Sequence, residues 1–177
     1  MTGRREDHEQ FPQRIGSGMV IAAWIVGLGL LTLLFSGLLS RQQNPNSEVQ
    51  SRRSGDRVEV VLDQNRAGHY VATARINSRP VQVLLDTGAT DVSVPASLAA
   101  GLELKRGARV LVTTANGTVP VYTTRLNEVR LGDIALRNVR ATINPHADDD
   151  FVLLGMSFLK QLDFSQRGGK LVLSQQQ

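Results

Sequence analysis

Val81-Gln82-Val83-Leu84-Leu85-Asp86-Thr87-Gly88-Ala89-Thr90-Asp91-Val92-Ser93-Val94-Pro95 is the stretch on which the reading of this chain turns. An apolar, β-branched run ends on a carboxylate, which such a position partly desolvates. Gly88 removes a side chain where two backbones, or a backbone and a substrate, must come close. Thr87 sets a hydroxyl beside the carboxylate that could knit the loop to a partner. An Asp-Thr-Gly triplet by itself arises by chance in roughly a few per cent of chains this long, so its meaning depends on what surrounds it.

Around this stretch the chain alternates with period two. Val58, Val60 and Leu62 alternate with Glu59, Val61 and Asp63, and Tyr70, Ala72, Ala74 and Ile76 with Val71, Thr73 and Arg75, the pattern of half-buried strands. Asn77-Ser78-Arg79-Pro80 carries turn chemistry between that run and Val81 to Leu85. Pro95 to Ala100 is a short helix candidate stopped by Gly101. Arg109 to Thr114 and Thr118 to Thr124 are β-rich runs joined through Ala115-Asn116-Gly117, and Asn-Gly is a strong hairpin signal. Strands are expected at Glu128 to Leu131, Ile134 to Ile143 and Lys170 to Leu173, with a second short helix within Leu154 to Leu162. Many short strands and two brief helices predict an all-β barrel or sandwich over residues 58–177.

Upstream the pattern is of another kind. Met19 to Leu39 is apolar apart from Thr32, Ser36 and a few Gly, with Arg14 and Arg41 outside it. At about 1.5 Å per residue this matches the hydrocarbon thickness of a bilayer. It runs longer than the apolar region of a signal peptide and lacks an Ala-x-Ala-like end. The expected organisation is therefore a tail over 1–18, a transmembrane helix over 19–39 in contact with lipid, a polar linker over 40–57 and a folded domain over 58–177. Arginines flank both ends, but Arg14 at the membrane edge and the short tail favour that tail inside and the domain outside the cytoplasm.

Composition narrows the function. Zero cysteines among 177 residues exclude disulfides, thiolate nucleophiles and iron–sulfur clusters. The formal charge of +4 is spread along the chain, with no strong basic field, so no nucleic-acid partner is expected. His8, His69 and His146 share no metal-binding spacing. Asp148-Asp149-Asp150 lacks the glycine and distal glutamate of a calcium loop. No Gly-x-Ser-x-Gly occurs, and Trp24 and Phe35 read as lipid-facing. No metal and no cofactor is expected.

About 65 residues after the triplet come Val152-Leu153-Leu154-Gly155-Met156-Ser157-Phe158-Leu159, aliphatics and a glycine leading into a helix. Strand, Asp-Thr-Gly-Ala, an Asn-Gly hairpin, then Leu-Leu-Gly and a short helix together resemble the retropepsin-like aspartic proteases, most closely their bacterial membrane-anchored members, over roughly Val58 to Leu173. The resemblance implies a catalytic Asp86. It implies that Thr87, Gly88 and Ala89 form the active-site loop, that Ala115, Asn116 and Gly117 form the tip of a flap, and that Leu153, Leu154 and Gly155 pack under the loop. It also implies the inner membrane of a bacterium, with the domain on the periplasmic side. Thr90 and Met156 depart from retroviral members, which carry there an Asp and an Arg that form an ion pair.

Aspartic proteolysis needs two carboxylates about 3 Å apart sharing one proton, and this chain has one triplet. A homodimer in which each chain donates Asp86, acting on a polypeptide substrate, is expected. The alternative is a non-catalytic module in which the same fold binds extended peptides or dimerises its host on the membrane.

Overall fold

The computed structural model describes residues 14–114 and 117–176, and the chain divides into two compact units between Leu39 and Ser40. In the first unit the chain is helical; α1 runs Arg14–Gln43. Among the described residues it is the one helix long and apolar enough to cross a bilayer. Met19, Trp24, Leu33 and Leu34 are all exposed, so no side of the helix is reserved for a protein core. Its hydroxyls are satisfied within the helix, Thr32 Oγ1 donating to Leu28 O at 2.8 Å and Ser36 Oγ to Leu33 O at 3.0 Å. Such internal pairing is what hydrocarbon demands of polar groups.

In the second unit, strands β1 (Ser51–Ser54), β2 (Arg57–Asp63), β3 (Val71–Ile76), β4 (Arg79–Leu85) and β5 (Val92–Pro95) precede helix α2 (Ala96–Ala99). Then follow β6 (Arg109–Thr114), β7 (Gly117–Leu131), β8 (Ile134–Asn144), β9 (Val152–Leu154), α3 (Met156–Leu159), β10 (Asp163–Arg167) and β11 (Lys170–Gln176). One sheet has the order β1-β2-β11-β10; the other has the order β3-β4-β9-β5-β8-β7-β6 and curls until β3 also pairs with β7. The fold is the expected all-β barrel type with short helices. Its core runs through both sheets: Val58, Val60 and Leu62 point inward from β2, Val83 and Leu85 from β4, and Leu126, Val129 and Leu131 from β7. Phe158 of α3 is fully buried among them, worth about 1.5–3 kcal/mol of transfer free energy.

Several expected boundaries move. The turn after β3 is confined to Asn77 and Ser78, both at positive φ (49° and 69°), with Ile76 paired to Arg79; this is the two-residue hairpin geometry matched to strand twist, and Pro80 lies inside β4. The runs 118–124 and 128–131 are one strand, β7. The helix expected within 154–162 is shortened at its start by Leu154, which belongs to β9.

Residues 40–57, expected as a polar linker, are instead built into the folded unit. α1 continues to Gln43, and β1 pairs along β2 from Ser51↔Val60 to Ser54↔Arg57. Between them Asn46, 5% exposed, clasps two strands. Its Nδ2 donates to Asp63 O (2.9 Å) and Val71 O (2.7 Å), its Oδ1 accepts from Asp63 N (2.8 Å), and its carbonyl accepts from Thr73 N (3.1 Å). Asn44 Oδ1 accepts from Asn46 N, and Asn44 Nδ2 donates to Thr73 Oγ1. Amide groups do this packing, so the segment carries no apolar period by which it could be recognised.

Candidate active site

The candidate site grows from the end of β4. Leu85 is buried and pairs in parallel with Leu154 of β9, and the ladder's next bond, Asp86 N to Leu154 O at 3.1 Å, fixes where the carboxylate leaves the sheet. Asp86 is half-buried there. Its Oδ1 accepts from Gly88 N at 2.8 Å, and Ala89 N donates to Asp86 O at 3.4 Å, the aspartate-nucleated turn expected of Asp two residues before a free N–H. A Cβ on Gly88 would lie 3.1 Å from that same Oδ1. Thr87 and Gly88 are exposed at the crest.

Beneath the crest the loop rests on the second motif. Met156 N donates to Ala89 O (2.8 Å) and Ser157 N to Thr90 O (3.0 Å). Gly155 is buried so tightly that a Cβ would stand 2.4 Å from Asp91 O and 2.6 Å from Ala89 O, closer than any side chain can approach. The structure thus brings Asp86, Thr87, Gly88 and Ala89 together with Leu153, Leu154 and Gly155.

Two contributors escaped the sequence reading. Ser157, 4% exposed, accepts from Val92 N (3.0 Å) and donates to Arg140 O (2.7 Å), tying α3, β5 and β8 at one hydroxyl. Asp91 Oδ1 accepts from Arg140 Nε at 2.7 Å. An ion pair on this loop was not anticipated, because Thr90 and Met156 hold neither charge; the adjacent Asp91 finds its cation on β8. Asp91 lies 49 positions from Arg140 and Ser157 lies 65 from Val92, and no spacing signal links either pair.

The expected flap is a hairpin of β6 and β7, with Arg109↔Tyr122 at one end and Thr114↔Gly117 at the other. Ala115 and Asn116, two of the three expected tip residues, lie outside the described residues. This register puts Gly117 at the start of the returning strand, not at the centre of the turn. It has φ +109° and nothing within 4 Å of a Cβ position, so conformation alone makes glycine the suitable residue. Leu111 on β6 is 71% exposed, and at the base Arg106 lies 5.1 Å from the Tyr122 ring centroid, within cation–π range. Among the described residues no group of three or more His, Asp or Glu side chains converges as a metal site would require.

A family model described as "gag-polyprotein putative aspartyl protease" matches residues 72–161, just over half of the chain and a span that contains both motifs. The chain belongs to the retropepsin-like aspartic proteases. Among solved structures, a retropepsin-like aspartic protease from Rickettsia conorii superimposes with a TM-score of 0.57 at 28% identity, over 72% of this chain and 95% of that one. An uncharacterized protein in the cobV 5′ region of a Sinorhizobium species is 35% identical over 111 residues, 61% of this chain and 48% of that protein. The chain spans about half the length of this curated relative.

Proposed function

We propose that this protein is a membrane-anchored aspartic endopeptidase that hydrolyses peptide bonds with a dyad made of Asp86 from each of two chains. One observation carries the reading: in a retropepsin-like chain, Asp86 leaves an apolar strand half-buried, on a loop seated on Gly155 and α3. In the dyad, one carboxylate takes a proton from a bound water, whose oxygen attacks the scissile carbonyl carbon. The other carboxyl group gives its proton to the carbonyl oxygen. Collapse of the resulting diol breaks the C–N bond as the amine nitrogen receives a proton. The chemistry needs one proton between the two carboxyl groups.

Thr87 and Gly88, at the crest, brace the two loops against each other across the dimer. The β6–β7 hairpin closes over an extended polypeptide. Residues 19–39 span the inner membrane of a bacterium, residues 1–18 form the tail, and the folded domain faces the periplasm; the uncharged stretch between Arg14 and Arg41 supports the span.

The test is incubation of the full chain in detergent micelles with a peptide library, beside Asp86→Asn. This variant keeps the shape and most hydrogen bonds of the loop but cannot shuttle a proton. Cleavage by the unaltered chain and none by the variant, at equal melting temperature, is the expected result. Comparable cleavage by Asp86→Asn removes the aspartate from the chemistry and moves the non-catalytic peptide-binding module ahead.

A further inference from the structure

Between the apolar run and the folded unit the chain has almost no slack. The run ends at Leu39. Four positions on, Gln43 O accepts from Asn65 Nδ2 at 3.2 Å, which satisfies one of the last carbonyls of α1. Asn44 and Asn46 are 8% and 5% exposed, and Asn46 forms a parallel bridge with Ala72 of β3. Polar as it is, the stretch is no spacer, because the chain is buried five residues after Leu39.

This clasp also lies close to Asp86. Ala72 pairs with Val83, so Asn46, Ala72 and Val83 stand side by side, about 10 Å across two strand spacings. Asp86 comes three residues after Val83, about 10 Å along the strand. The two legs are roughly perpendicular and put Asp86 about 14 Å from Asn46. A second route leads to the same place. Asn65, which holds Gln43, also holds His69, its N donating to His69 O (2.8 Å) and its Oδ1 accepting from His69 N (2.9 Å). The next residue, Tyr70, accepts from Leu85 N at 3.0 Å, one step before Asp86.

Contour length then limits how far Asp86 stands from the end of the apolar run. Seven residue steps from Leu39 to Asn46 reach at most about 25 Å when fully extended, and less with residues 40–43 helical. Adding the clasp-to-site distance keeps Asp86 within about 40 Å of Leu39. We propose that the site is held at this low, fixed height over the bilayer, and that its substrates are membrane-anchored polypeptides cut in the stalk near where they leave the membrane. An extended stalk rises about 3.4 Å per residue, so its scissile bond falls within about 12 residues of the membrane end. A substrate anchored in the same bilayer meets the site at raised effective concentration when the two heights match. A freely diffusing protein has no such advantage. This rests on the dyad and the membrane span proposed above, and it names the substrate class of that same site.

The test reconstitutes the full chain in phosphatidylcholine vesicles with single-span model substrates that carry a sequence cut in the peptide library. In one substrate the sequence follows the membrane end directly. In the other it stands on a helical spacer of Glu-Ala-Ala-Ala-Lys repeats about 40 residues long, about 60 Å higher. The near site should be cut at least about tenfold faster than the raised one. The same spacer inserted between Leu39 and Ser40 should reverse the preference and leave cleavage of a short soluble peptide unchanged. Height is also read without activity. Ala67→Cys gives the chain its only thiol, on the exposed loop between Asn65 and His69. A donor dye there should transfer energy to acceptor headgroups in the vesicle, and the spacer should abolish most of that transfer.

Equal cutting of near and raised sites, or a preference that the spacer does not shift, overturns the height restriction and leaves the dyad intact. Energy transfer that is the same with and without the spacer overturns it as well. Loss of all cleavage, soluble peptides included, with energy transfer as expected, sinks the dyad and with it the substrate class, and leaves the short tether standing.

Discussion

At Gly155 a missing methyl lets the loop that carries Asp86 seat itself: the carbonyls of Ala89 and Asp91 lie where a Cβ would stand. Both obstacles are backbone atoms, so no rotamer change relieves the overlap, and Gly155→Ala must push the loop off α3. We expect a loss of about 1–3 kcal/mol, read as a lower melting temperature, together with a fall in peptide turnover larger than the stability loss explains, because Asp86 moves with the loop. A melting temperature and turnover matching the unaltered chain would show that the loop does not depend on this contact. Asp91 and Arg140 act more weakly at the same place. The Arg140 side chain is 55% exposed, and solvent screening holds such a pair to about 1 kcal/mol or less. The glycine and the Ser157 hydroxyl, both buried, carry more of the positioning.

Among the elements, the segment between α1 and β2 departs most from its sequence pattern. Polar composition, Pro45 and Gly55 read as a tether, whereas Asn46 completes the hydrogen bonding of β2 and β3 where backbone partners run out. Asn46→Ala removes the buried bond to Val71 O and the part-buried one from Asp63 N, a cost of about 1–3 kcal/mol. The expected outcome is a reduced melting temperature and faster proteolytic cutting within residues 44–57. Asn46→Asp keeps the acceptor while losing the two donated bonds, and should still protect the segment better than alanine. Equal cutting of Asn46→Ala and the unaltered chain would return this stretch to the status of a tether. Elsewhere the elements follow their local patterns closely: β2 and β3 fall where alternation put them, β8 covers the run expected from Ile134 to Ile143, and the β3–β4 turn falls within the expected stretch, on Asn77 and Ser78.

At the scale of the molecule, activity under the proposed function is a property of two chains. Specific activity in micelles should fall on dilution, since a lone chain holds half a dyad, and mass action then sets the active fraction. Constant specific activity at concentrations where sedimentation shows only monomer would require a complete site in one chain. Periplasmic placement is tested separately: a C-terminal tag should be digested by protease added to intact spheroplasts, and protection of the tag reverses the orientation.

What the sequence by itself determined was whatever is written in short-range pattern. Period-two alternation marks strands because successive side chains point to opposite faces. An uncharged run of bilayer length marks α1, and Asp86-Thr87-Gly88 with Leu153-Leu154-Gly155 marks the candidate site through the resemblance those two motifs carry together. The tertiary structure decided the rest: the clasp of Asn46, the pairing of β1 and β10 at opposite edges of one sheet, the ion pair of Asp91 with Arg140, and the Ser157 bridge. Each of these joins polar groups far apart in the chain, so none leaves a period or a composition bias. Their geometry exists only once the hydrophobic core has brought the strands into register.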